Sequence, residues 1–219
     1  MSVASDRDPR GAHRPLRADA ARNHRAIVAA ARAALEQDGP DVPLEEVARR
    51  AGVGPSTLYR RFAGREELLA AVFEDYFAER IEPLLAAAGA LDDPWHALVT
   101  VLEGMVTAVL RHRPLLHAVR RSGAVSPDIA ERALGPLAEL VARGQEAGVL
   151  RADVVAKDLP TVVLMTVVTA GPWDGANDPR AWPRYLALLL DGLRPTARRL
   201  PDRAELPAPP APPPRSPTW

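Results

Sequence analysis

Cysteine is absent from the 219 residues. Its absence excludes disulfides, thiol nucleophiles and thiolate metal sites together, and fits a reducing compartment. Aromatic residues are scarce at 5%, so the 47% hydrophobic fraction rests on Ala, Leu and Val. No segment alternates apolar and polar residues as a strand does, while Ala/Leu/Arg/Glu-rich stretches favour helix. The expected fold is therefore all-α. Long apolar runs are missing too. The longest, Leu159 to Ala170, falls well short of the roughly 20 residues that span a bilayer. The opening MSVASDRDPRGAHRPLR has no apolar signal-peptide core. A cytoplasmic protein without a membrane segment is expected.

Catalytic motifs are equally lacking. There is no H-E-x-x-H, no G-x-S-x-G and no Walker loop, and GVGPST lacks the third glycine of a dinucleotide fingerprint. The five histidines, at 13, 24, 96, 112 and 117, form no i, i+4 pair. No metal site, cofactor or catalytic residue is expected. Lysine is nearly absent: Lys157 stands alone among 28 basic residues. Net charge is zero, but residues 1–65 hold 12 Arg against 8 Asp+Glu, a local +4 that the remainder offsets. An anionic partner for the N-terminal part is consistent with that imbalance.

What is present is a succession of about nine helices. Residues 1–18 are polar and read as a disordered arm carrying Arg7, Arg10, Arg14 and Arg17. Asp19 is the expected cap of a first helix that Gly39-Pro40 stops. A short helix from Leu44 ends at Gly52, and another covers PSTLYRR. A long apolar-striped helix follows Gly64, with a kink expected at Pro83. Asp93-Pro94 and Ser126-Pro127 start later helices, the latter with an expected kink at Pro136. Nine prolines between Pro195 and Trp219 mark a disordered tail over 195–219. The domains expected between the arms are 19–64 and 65–194.

The stretch LEEVARRAGVGPSTLYRRF reads as two crossing helices and a turn. A helix-turn-helix needs a small residue at the crossing, a glycine at the turn and a few apolar contacts. Ala48 and Gly52 supply the first two, and Val47, Val53, Leu58 and Phe62 the rest. With its thin apolar edge consumed in packing, the second helix is free to lie in a major groove. Ser56 and Thr57 are placed to meet phosphates or base edges, Tyr59 offers a phenol and a ring, and Arg60, Arg61 and Arg65 offer charge-assisted phosphate contacts.

The segment from Arg22 to Phe73, by its Ala26-Ile27, Ala30-Ala31, Gly39, Val47-Ala48, Ala51-Gly52-Val53, STLYRRF and REELL, resembles the N-terminal domain of the TetR family of transcriptional regulators. The resemblance implies a homodimer reading a palindromic double-stranded DNA operator. By it, Pro55, Ser56, Thr57, Tyr59 and Arg61 face DNA and Arg65 grips a phosphate. Two positions depart from the family pattern. VPLEE lacks the usual hydroxylated cap, and Arg65 stands where Lys is usual, which changes hydrogen-bond geometry.

In the family the C-terminal part dimerises and holds a small effector. Val163 and Val167 lie in the nearly all-round apolar LPTVVLMTVVTAG. With Trp182, Tyr185, Leu186, Leu189 and Leu193 of the last helix, they are the expected dimer interface. Phe73, Phe77, Trp95, Leu102, Met105, Val109 and His117 are the expected lining of an effector pocket, with Tyr76, Thr107 and Arg120 as further polar candidates. The fourth helix joins head to body, so an effector beside Phe73 and Phe77 would shift the heads. The function expected is a repressor released by an unknown small molecule. The alternatives are an effector-independent regulator or activator, and a helical enzyme.

Overall fold

Helix succeeds helix along the chain. The computed structural model describes residues 13–123, 126–169 and 180–201, and the regular elements among them are all helical. They are α1 (His13–Asp38), α2 (Leu44–Arg50), α3 (Pro55–Arg61), α4 (Arg65–Tyr76), α5 (Glu82–Gly89), α6 (Pro94–Arg111), α7 (Arg113–Ser122), α8 (Pro127–Glu146), α9 (Asp158–Thr169) and α10 (Trp182–Gly192). A π turn, Phe77–Ile81, joins α4 to α5 without a break, so the ten segments make nine rods. None described is long and apolar enough to cross a membrane.

The first helix begins earlier than its expected cap. Asp19 lies inside α1 and pairs with Arg22 one turn on. Pro15 falls in the first turn of α1, where helix N–H groups have no intrahelical partner to lose. From there α1 buries Ile27, Val28, Ala31, Ala34 and Leu35. These meet Val47 and Ala48 of α2, Leu58 of α3 and Phe62 just beyond it, in one apolar core. Gly39, at φ 91°, ends α1 in a left-handed conformation that side chains resist.

Two features shape the long rod. Pro83 has no N–H to donate, and in a regular helix its ring would strike the carbonyl of Glu79. The rod widens just before it: the Glu82 N–H reaches back five residues to the Phe77 carbonyl. The expected kink at Pro83 is thus accommodated as a π turn. In the body, α6 is central and buries Ala97, Leu98, Val101, Leu102 and Val106 against α5, α8 and α9. The Asp93 carboxylate caps α6, accepting from the Trp95 N–H at 2.9 Å and the His96 N–H at 3.2 Å. Ser126 Oγ caps α8, and α8 continues through Pro136.

The chain beyond Arg194 is not structureless throughout. Arg151 grips Asp153 by two hydrogen bonds, at 2.6 and 3.0 Å, and donates to the carbonyls of Gly192 and Arg198. The Leu200 N–H donates to Asp153 at 2.6 Å. Held by Arg151 and that N–H, the Asp153 carboxyl lies well below the usual carboxylate range. Hydrogen bonds to the body therefore continue past the expected boundary at 195, as far as Leu200. The arm before His13 and the tail after Pro201 lie outside the described residues.

Candidate functional site

The turn between α2 and α3 is built entirely from backbone. The Val53 N–H reaches the Ala48 carbonyl at 3.0 Å, and the Gly52 N–H reaches that of Arg49 at 3.2 Å. This paired closure needs a left-handed residue, which Gly52 supplies at φ 68°. Pro55 then starts α3 at a position where its missing N–H costs nothing. Leu58 and Phe62, with Val47 and Ala48, are buried, and Val53 packs half-buried beside them. Of the six residues expected to pack the motif, Gly52 holds the turn and the other five are buried or half-buried.

That packing leaves the rest of α3 outward. Pro55, Ser56, Tyr59, Arg60 and Arg61 are exposed and Thr57 is half-buried, with Tyr59 at 48%. Ser56, Thr57 and Arg60 have no side-chain partner among the described residues. Tyr59 and Arg61, in contrast, are held from behind. The Tyr59 hydroxyl donates to Glu45 at 2.9 Å, an acceptor that pushes the phenol pKa up. Arg61 Nε donates to His24 Nδ1 at 3.2 Å, while the imidazole stacks on Phe62 with centroids 5.2 Å apart. Burial first, then the Arg61 charge, lowers the His24 pKa and keeps the ring a neutral acceptor.

Arg65 is placed differently from the sequence expectation. Its guanidinium donates to the carbonyls of Val42, at 2.7 Å, and Pro40. It turns to the α1–α2 loop instead of outward, and its first role is to pin that loop to α4. Arg50 does similar work, bridging α2 to Asp38 and Gln37 at the end of α1. Arg49 and Arg50 also both donate to Glu46, whose carboxyl falls to about 2. His24 and Glu45 escaped the sequence reading because each meets its partner across a tertiary contact, not at a helical spacing.

Beneath the head, an apolar cavity of about 400 Å³ lies between α4, the π turn, α6, α7, α8 and the start of α9. Phe73, Phe77, Met105 and Val109, named in the sequence reading for a pocket, line it, and Tyr76 joins them. Trp95, Leu102 and His117 do not. Trp95 sits ten residues before Met105 on α6, about 15 Å along the axis, under the Arg194 guanidinium. Leu102 is wholly buried in core, and His117 is exposed while its neighbour Leu116 faces the cavity. Thr107 and Arg120 are likewise absent from the wall. The far wall comes from α8 (Ile129, Ala130, Ala133, Leu134) with Lys157 and Pro160, residues that the sequence reading did not name.

Polar links tie cavity to head. Arg32 on α1 bonds Glu79 in the π turn and lies over the Tyr76 ring, 5.4 Å from its centroid. Glu36 on α1 bonds His112 at the α6–α7 junction. Tyr76 is 1% exposed, and its hydroxyl is the one buried side-chain N or O without a hydrogen-bond partner among the described residues. Burial pushes its pKa up to about 12.

The outer face of α9 and α10 also departs from expectation. Val163, Leu186 and Leu193 are buried in the chain's own core, and Val167, Trp182 and Leu189 pack half-buried against it; Tyr185 is half-buried. The exposed apolar side chains are their neighbours Leu164, Met165 and Val168 on α9 and Leu188 on α10, the last at 61%. Among the described residues no cluster of His, Asp or Glu has the makings of a metal site.

Comparison with known proteins bears on these features. Residues 27–72 match the family model described as bacterial regulatory proteins, tetR family, and residues 93–195 match the C-terminal domain described as transcriptional regulator SbtR-like. No curated protein matches the chain. Among solved structures, the TetR transcriptional regulator SCO0520 from Streptomyces coelicolor is 31% identical, with a TM-score of 0.55 over 80% of this chain and 99% of that one. A TetR transcription regulatory protein from Mycobacterium vanbaalenii is 32% identical, with a TM-score of 0.54 over 82% and 99%. RolR, solved in complex with resorcinol, shares the fold at 23% identity, with a TM-score of 0.63 over 84% and 97%.

Proposed function

Because this chain belongs to the TetR family of bacterial transcriptional regulators, with the family's DNA-binding fold, we propose that it is a homodimeric repressor of a palindromic operator, released by a small effector in the α4–α8 cavity. The observation that carries the proposal is a shared element. Phe73, Tyr76 and Phe77 form the cavity wall on the same continuous rod whose first residue, Arg65, pins the head. A ligand pushing on that wall pushes on the support of α3. Half-sites lie one helical turn, about 34–36 Å, or a multiple apart along the duplex. A shift of a few ångström in head separation therefore mismatches the grooves.

In this reading Ser56, Thr57 and Arg60 meet the duplex with side chains that have no other described partner, while Tyr59 and Arg61 are presented ready-oriented by Glu45 and His24. Dimerisation uses the exposed apolar strip of α9 and α10. RolR, a protein of the same fold, was solved in complex with resorcinol, which supports looking for a small-molecule effector.

The test is to incubate the protein with fragmented genomic DNA from its source and sequence what it retains, with Tyr59→Ala alongside. A short palindrome enriched by the parent alone is expected. With on the order of four phosphate contacts per head, log K against log salt should slope at about −7. A slope near zero, or enrichment unchanged by Tyr59→Ala, overturns the assignment of α3 as the reading helix.

A further inference from the structure

The cavity wall is chemically lopsided. Of its 13 lining residues, Lys157 is the one that carries a charge and also the one that is exposed, so it stands at the mouth. Apart from the Tyr76 phenol, the remaining wall is hydrocarbon, aromatic ring or thioether. A ligand with several polar groups would lose water there without recovering hydrogen bonds. A body of hydrocarbon or aromatic carbon meets no such cost.

Among the described residues nothing cancels the charge at the mouth. The carboxylate next to it in sequence, Asp158, accepts from the Val155 N–H at 2.9 Å. No carboxylate lies within ion-pair reach of Lys157 among the described residues. The nearby guanidinium of Arg132 lies against the Phe77 ring but is held by Glu74, Glu82 and Asp128, so it offers no competing cationic site. At about 400 Å³ the cavity sits at the small end of ligand pockets, which run roughly 300–1,000 Å³.

We infer that the cavity takes an amphiphile of one negative charge, a medium-chain or compact aromatic carboxylate, with its apolar body inside and its carboxylate on Lys157. This rests on the cavity being the effector site proposed above. The headgroup stays near water, so its pairing with Lys157 contributes selectivity and modest affinity, and salt screens it.

The chain's single lysine makes the test specific. Decanoate, decanol and decylamine are titrated calorimetrically into the full-length protein, below their micellar concentrations. Decanoate is expected to bind about fivefold tighter than decanol, decylamine weakest, with the advantage shrinking at high salt. Lys157→Gln should erase the preference of decanoate over decanol, whereas Lys157→Arg keeps it. Acetylation read by peptide mass should show Lys157 protected by decanoate and not by decanol. If decanol binds as well as decanoate, or Lys157→Gln keeps the preference, the anionic class is wrong and the cavity reading stands. If none of the three binds, both fall.

Discussion

The ring of Tyr76 stands edge-on to the imidazole of His112, with centroids 5.0 Å apart and planes at 63°. His112 bonds Glu36, and Arg32, a turn earlier on α1, lies over the phenol ring. One side chain thus touches the cavity and both polar links from body to head.

That position makes the Tyr76 hydroxyl a measurable liability. It is buried without a partner, so Tyr76→Phe should leave stability unchanged or raise it by about 1 kcal/mol in urea unfolding. Tyr76→Ala should cost about 3–5 kcal/mol. The pH dependence has a definite sign. Burial raises the folded pKa from the ordinary phenol value of 10.0 to about 12, so the neutral phenol is favoured in the folded state. Its contribution is complete below pH 10 and is lost as pH climbs toward 12. The parent should lose roughly 2–3 kcal/mol more than Tyr76→Phe across that window.

Arg65→Ala should destabilise the head by about 2 kcal/mol, because the carbonyls of Pro40 and Val42 lose a charged donor. Thermal unfolding reads this without any DNA. Arg65→Lys should recover only part, since one ammonium does not fork to both carbonyls as a guanidinium does.

Gly52→Ala isolates a purely conformational cost. A Cβ at Gly52 meets nothing within 4 Å, yet φ is +68°. The loss should be about 1–2 kcal/mol, with Gly52→Asn milder because Asn tolerates that region better. An Ala variant as stable as the parent would remove the left-handed turn from the account of the motif.

Leu188→Glu and Met165→Glu should each turn a dimer into a monomer in sedimentation velocity, because both side chains are exposed in the isolated chain and buried in the proposed pair. Leu186→Glu should instead unfold the protein, because Leu186 lies in the chain's own core.

The contrast between Leu186 and Leu188 also says what could be read from the sequence. The head was legible because its packing set is confined to a short stretch whose glycine and small residues have few other uses. The body's helices were legible from their caps, and Asp93 and Ser126 do cap. Which side of each helix faces what was not, because one residue is 100° of rotation. Leu116 faces the cavity and His117 does not; Leu164 faces out and Val163 faces in. Apolar periodicity finds a buried stripe but does not distinguish a chain's own core from a cavity wall or a partner's face.

The π turn at Phe77–Ile81 holds one residue more than a regular turn would. It absorbs that residue within its own width, so the winding before and after it stays in register. Deleting one residue there would leave α5 close to its present rotation, but the regular winding so restored would press the Pro83 ring against the carbonyl four residues before it. The wide turn is thus what lets a proline stand in mid-rod while Leu85 and Ala88 stay buried against α6 and α8.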